Sequence, residues 1–232
     1  MRNTLVGVII LIQMTGISYA ASFAETNLNA DGVYAPKGFD ANDVAEIIVS
    51  GWLPNSCFSR PQAEAKLEGG QIKVSVTATK NTEAASCLQM AVPFLAVAPI
   101  GRLEAKNYKV VVNDSERQMT ALLSVVQPSS ADIDNFVYAR VESVSRTSFP
   151  RVVSLKGTNP SDCLALASIQ MISNGENTYS ILPVMHQVKA TCMRKPMPFE
   201  YQIRIPEIQG PGRVLLHVRS QDGHSINYLL DN

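Results

Sequence analysis

Gly51-Trp52-Leu53-Pro54-Asn55-Ser56-Cys57 recurs, in spacing though not in every side chain, as Gly157-Thr158-Asn159-Pro160-Ser161-Asp162-Cys163. Each copy is followed by a second cysteine that opens a Cys-x5-Pro-Phe spacing: Cys87 leads to Pro93-Phe94, and Cys192 to Pro198-Phe199. A repeat that carries its own cysteine pair reads as one folding unit used twice, each with its own crosslink. Other features fall into register around it. Val33-Tyr34-Ala35 precedes Val137-Tyr138-Ala139 by 104 residues, and Ile47 and Val49 before Gly51 match Val153 and Leu155 before Gly157. Gly69-Gly70 has its counterpart in Asn174-Gly175, and both dipeptides suit a tight hairpin whose central residues need positive φ.

Almost every segment alternates with period two. Ile72, Val74, Val76 and Ala78 share one face against Lys73, Ser75 and Thr77, and Phe199, Tyr201, Ile203 and Ile205 alternate with Glu200, Gln202 and Arg204. Such strands are half buried, with one face to the core and one to water. The first unit yields seven of them: near Val33, then 44–50, 62–67, 71–79, 89–98, 107–113 and 117–126. Seven short strands in about 100 residues predict an all-β fold of two tandem immunoglobulin-like or fibronectin-like antiparallel β-sandwiches. The expected units are residues 25–126 and 132–232, joined by a linker at 127–131, Gln127-Pro128-Ser129-Ser130-Ala131. In the last hairpin a three-residue loop with Gly223 left-handed pairs Val218 with Ile226 and Leu216 with Tyr228, which keeps one clean apolar face.

The first twenty residues have another purpose. Arg2 is followed by an apolar run from Leu5 to Ile12, and Ser18-Tyr19-Ala20 offers small residues for cleavage after Ala20, with a second acceptable site after Ala24. This is the form of a secretory signal peptide, which predicts an exported protein, periplasmic or secreted, without membrane insertion. Export makes the four cysteines presumptively paired. Independent units require Cys57–Cys87 and Cys163–Cys192, each closing a loop of about 30 residues worth about 3.5 kcal/mol by the chain-entropy argument. Four buried thiols are the competing reading. Lys and Arg total 20, as do Asp and Glu, so no basic field exists to hold nucleic acid.

The first unit resembles a group of exported bacterial β-sandwich proteins to which no activity is attached. The elements that carry the resemblance are Tyr34-Ala35-Pro36, Gly51 to Cys57, Cys87 to Phe94, and Tyr108-Lys109-Val110-Val111-Val112-Asn113. The resemblance implies a bacterial periplasmic or secreted setting and no mechanism.

Candidate chemistry is sparse. His186, His217 and His224 all lie in the second unit; His217 is expected on the outward face of its strand and His224 beside a turn. Surface histidines are the ordinary case there. There is no His-Glu-x-x-His, Gly-x-Ser-x-Gly or phosphate loop in the sequence. Asp40, Asn42, Asp43 and Glu46 form the densest acidic group and are the one calcium candidate, against a solvated loop with local backbone bonds. Trp52, the single tryptophan, stands where the second unit has Thr158. It reads either as a half-exposed anchor for a partner or as a cover for the Cys57–Cys87 bond.

These features suggest a non-enzymatic exported module, without cofactor, that contacts envelope protein or polysaccharide. The alternatives are an inhibitor of a hydrolase and a hydrolase with an unrecognised site. An inhibitor would present the stapled loop 55–60 or 193–197, with Arg60 or Lys195 as a contact residue.

Overall fold

The computed structural model describes residues 22–112, 118–134, 136–207 and 212–231. The segment read as a signal peptide lies outside them, as do Asn113 and Arg117 at two of the expected strand ends. The described chain is all-β and sandwich-like. Its first part runs β1 (Phe23–Asn27), β2 (Ala30–Tyr34), β3 (Phe39–Asp40), β4 (Ala45–Leu53), β5 (Phe58–Glu68), β6 (Gln71–Asn81), β7 (Val92–Gly101), β8 (Asn107–Val112) and β9 (Met119–Val126). The second part runs β10 (Val141–Arg146), β11 (Val152–Asn159), β12 (Leu164–Ser173), β13 (Thr178–Gln187), β14 (Met197–Arg204), β15 (Arg213–Arg219) and β16 (Ser225–Asp231). Beyond these the regular structure is one 3-10 turn, Gln221–Gly223.

The two parts share a wiring diagram. A small sheet β2-β4-β7 faces a larger one in which β5, β6, β8 and β9 are neighbours in that order; β10-β11-β14 faces β12-β13-β15-β16 in the same way. Most neighbours are antiparallel, but β6–β8, β13–β15 and β3–β9 are parallel, a departure from the wholly antiparallel expectation. For β6–β8 and β13–β15 the cause is the path: β7 and β14 each cross to the opposite sheet, so the returning strand runs in the direction of the one that left. β1 and β3 were not read from the sequence. β1 borders β6, and the two-residue β3 borders β9.

Alternation places the core. Ile47 and Val49 of β4 meet Ile72, Val74 and Val76 of β6 in one cluster; Val153 and Leu155 of β11 meet Ile181, Val214, Leu216 and Val218 in the other. The two disulfides are Cys57–Cys87 and Cys163–Cys192, one in each part, and no free cysteine is present. The signature motifs also touch one another. Gly51 is the register partner of Phe94, and Gly157 of Phe199. A Cβ on Gly51 would lie 2.6 Å from the Phe94 ring, and one on Gly157 would lie 2.7 Å from the Phe199 ring. Glycine is required at both places because an aromatic ring occupies the room above it.

Gly69-Gly70 forms the expected two-residue hairpin, at φ 58° and 78°. The Asn174 turn is longer than a tight hairpin. Ser173 pairs with Tyr179, and the Asn174 side-chain oxygen accepts from the backbone N–H groups of Glu176, Asn177 and Thr178. That side-chain turn replaces the two-residue one. In the last hairpin Val218 pairs with Ile226 and Leu216 with Tyr228, as expected; Asp222 joins Gly223 in the left-handed region.

Candidate functional site: the cleft between the two halves

Strand β15 is buried on both faces. Val214, Leu216 and Val218 enter the second core, while Leu215, His217 and Arg219 are equally buried on the other side. The strand β4 does the same, with Ile47 and Val49 inward and Ile48 and Ser50 buried outward. These two outward faces meet. Tyr34, Ile48 and Leu215 form an apolar cluster between the halves, with Leu95 and Leu229 packed against it.

On either side of that cluster stands an arginine of β15. Arg219 reaches Asp43 with two nitrogens, at 2.7 and 3.3 Å, and Asp134 at 2.5 Å. Its guanidinium also lies 5.3 Å from the Phe39 ring centre and 5.6 Å from that of Tyr138. Burial would lower the Arg219 pKa, but the bond to Asp43 and the charges of Asp43 and Asp134 outweigh it and hold the cation well above its ordinary value. Burial pushes the Tyr138 hydroxyl up to about 12. At the other end of β15, Arg213 pairs with Asp31 and lies 5.8 Å from the centre of Trp52.

Between the arginines sits His217, the reverse of the solvent-facing position read from the sequence. The alternation was correct, but the outward face is covered by the first half instead of water. Its Nδ1 faces Asn227 Oδ1 at 3.0 Å and Glu46 Oε1 at 3.3 Å. Both are acceptors, so Nδ1 carries the proton. Nε2 is buried and has no hydrogen-bond partner among the described residues. Burial raises the Glu46 pKa, yet His217, Ser225 and Asn227 together overcome it and bring the carboxyl from 4.5 down to about 2.

The four residues of the calcium candidate have other partners. Asp43 goes to Arg219 and Glu46 to His217. Asn42 donates to the carbonyl oxygens of Ser130 and Asp132, fastening the linker, and Asp40 accepts from the Asn42 backbone. No three His, Cys, Asp or Glu side chains are grouped for a metal among the described residues. Asp43 and Glu46 join the two halves, while Asp40 bonds locally.

The junction opens to solvent on one side. A cavity of about 140 Å3 lies between Phe39, Glu46, His217 and Arg219. Ile133 and Asp222 line both that cavity and a neighbouring groove of about 530 Å3, whose other walls include Asp132, Asp134, Phe136, Val137 and Tyr138. Ile133, Phe136 and Val137 are about half exposed there, at 51%, 45% and 50%. The sequence reading missed this groove. The junction beside it did leave a signal: Ile47-Ile48-Val49 and Val214-Leu215-Leu216 are apolar in both phases of a strand, which marks cover on both faces.

The remaining candidates stay apart. Trp52 is 47% exposed, under Arg213 on the opposite flank of the interface. Arg60 is exposed on β5 at φ 51°. Lys195 belongs to an exposed stretch, 186–198, tied down by Cys192 and by Asp162, which accepts from the Lys189 side chain and the Met193 backbone. His186 and His224 are exposed.

A family model described as ORF11 beta-sandwich domain matches residues 47–121, from within β4 into β9. No curated protein and no solved structure gives a match to the chain.

Proposed function

We propose that the protein is an exported, non-enzymatic binding module, periplasmic or secreted, that contacts a protein or polysaccharide of the cell envelope. The observation that carries this reading is the open groove at the junction, which exposes three large apolar side chains on a body whose two halves are joined by buried ion pairs. A preorganised, partly apolar recess beside a rigid frame is what a binding surface needs, because little ordering remains to be done on association. Export accords with the leader-like residues 1–20 and with two disulfides. The test is retention of a defined envelope component by the immobilised mature protein, saturable and competed by the same protein in solution. Empty columns, or hydrolytic turnover that one substitution abolishes, would overturn the reading.

A specific feature favours a second reading, inhibition of a hydrolase. Residues 186–198 are exposed throughout, anchored by Cys192 and carrying Arg194 and Lys195. Stoichiometric block of a trypsin-like protease that disappears in Lys195→Ala would support it, and no inhibition across a protease panel would dismiss it.

A further inference from the structure

The groove at the junction has a chemical character that narrows its occupant. Its floor is the apolar set Ile133, Phe136 and Val137, with the Phe136 ring tilted against Tyr138 at 6.4 Å between centres. Its walls carry Asp132, Asp134 and Asp222 and, among the described residues, no basic one; Arg102 and Arg219 line the smaller adjoining cavity that Asp222 borders. Asp134 is already committed to Arg219, whereas Asp132 and Asp222 have no ion pair in the described structure. Two carboxylates without an ion pair among the described residues, beside an exposed aromatic face, attract a cation, and the apolar floor holds carbon next to it.

From this we infer that the groove binds an extended polypeptide segment of a partner protein that carries an arginine or lysine flanked by apolar side chains. The cation would lie over Phe136 between Asp132 and Asp222, and an apolar neighbour would cover Ile133 or Val137. A neutral sugar can stack on an aromatic ring, but it leaves the two carboxylates without a counter-charge, so the charge balance favours the peptide. Asp222 fits the role structurally as well: it stands at φ 62°, where Asp and Asn are the side chains best tolerated. Replacement by Asn therefore removes charge and keeps the turn.

This inference rests on the binding-module reading and refines it. The experiment uses the mature chain with both disulfides and three labelled heptapeptides: leucine alternating with arginine, with glutamate and with serine. Fluorescence anisotropy should show binding of the arginine peptide, weakening as salt rises, and none of the glutamate peptide. The double variant Asp132→Asn, Asp222→Asn should weaken that binding at least tenfold and flatten its salt dependence, and Phe136→Ala should abolish it. Thermal melts of the Asn double variant should match the native protein, since neither acid is paired. Equal binding of the arginine and glutamate peptides, undiminished binding in the double variant, absence of peptide binding, or binding of a neutral oligosaccharide alone would each overturn the inference. An envelope component retained equally by native protein and groove variants would sink the groove and leave the module; no retained component at all would sink the module itself.

Discussion

At the scale of single residues, Gly51 and Gly157 show what the repeated spacing is for. Each glycine lies beneath a phenylalanine delivered by the second cysteine motif, so the two halves of the signature are register partners across β4–β7 and β11–β14. Gly51→Ala and Gly157→Ala should each cost about 1–3 kcal/mol through overpacking. The second should cost more, because its Cβ would come within 1.9 Å of the Arg140 carbonyl oxygen, whereas the carbonyl oxygen nearest a Cβ on Gly51, that of Asn29, is 2.8 Å away. Urea denaturation checks both. Glu46 gives a prediction in acid. Its folded pKa of about 2 lies below the ordinary 4.5, so its contribution is complete above pH 4.5 and vanishes as pH falls toward 2. A shift of that size corresponds to about 3 kcal/mol. The stability gap between native protein and Glu46→Gln should be full at pH 6 and closed at pH 2; a gap independent of pH would contradict the assignment.

Strands β4 and β15 are the elements that set the junction. Each has a core face and an outward face, and both outward faces are covered. Arg219 is 6% exposed at its side chain and holds two aspartates exposed only 5% and 15%. Arg219→Ala would strand those carboxylates and should cost about 3–5 kcal/mol. Arg213 and Asp31 are much wetter, so Arg213→Ala should cost about 1 kcal/mol or less. Similar losses for the two arginines would refute the contrast. Much of this element level was legible beforehand: strand positions, core faces and the register of the last hairpin follow from period-two alternation and turn chemistry, and the cysteine pairs from the repeat. The cover over His217 was not. Alternation separates two faces of a strand, but only tertiary contact decides whether the polar one meets water. The groove was illegible for the same reason, since Ile133, Phe136 and Asp222 come together only when the segment after the linker and a distant hairpin turn lie side by side.

For the whole molecule, the apolar cluster of Tyr34, Ile48 and Leu215 and the ion pairs around it couple the halves. Calorimetry should therefore record one transition with native disulfides, and two in the Arg219→Ala variant as the halves uncouple. The contact joins unlike surfaces: the small sheet of the first half meets the large sheet of the second. In a duplicated chain such a head-to-tail contact leaves one unused copy of each surface, a small sheet at one end and a large sheet at the other, and repetition of that contact would build a filament. The small-sheet copy is the more polar of the two. Where β4 presents Ile48, Ser50 and Trp52, β11 presents Ser154, Lys156 and Thr158, and Ser154 and Lys156 are tied to Glu200. On the opposite end, Lys109 of β8 stands exposed between the core residues Tyr108 and Val110. Its β9 neighbour across the ladder is the exposed Leu122, so a charged and an apolar side chain share that face.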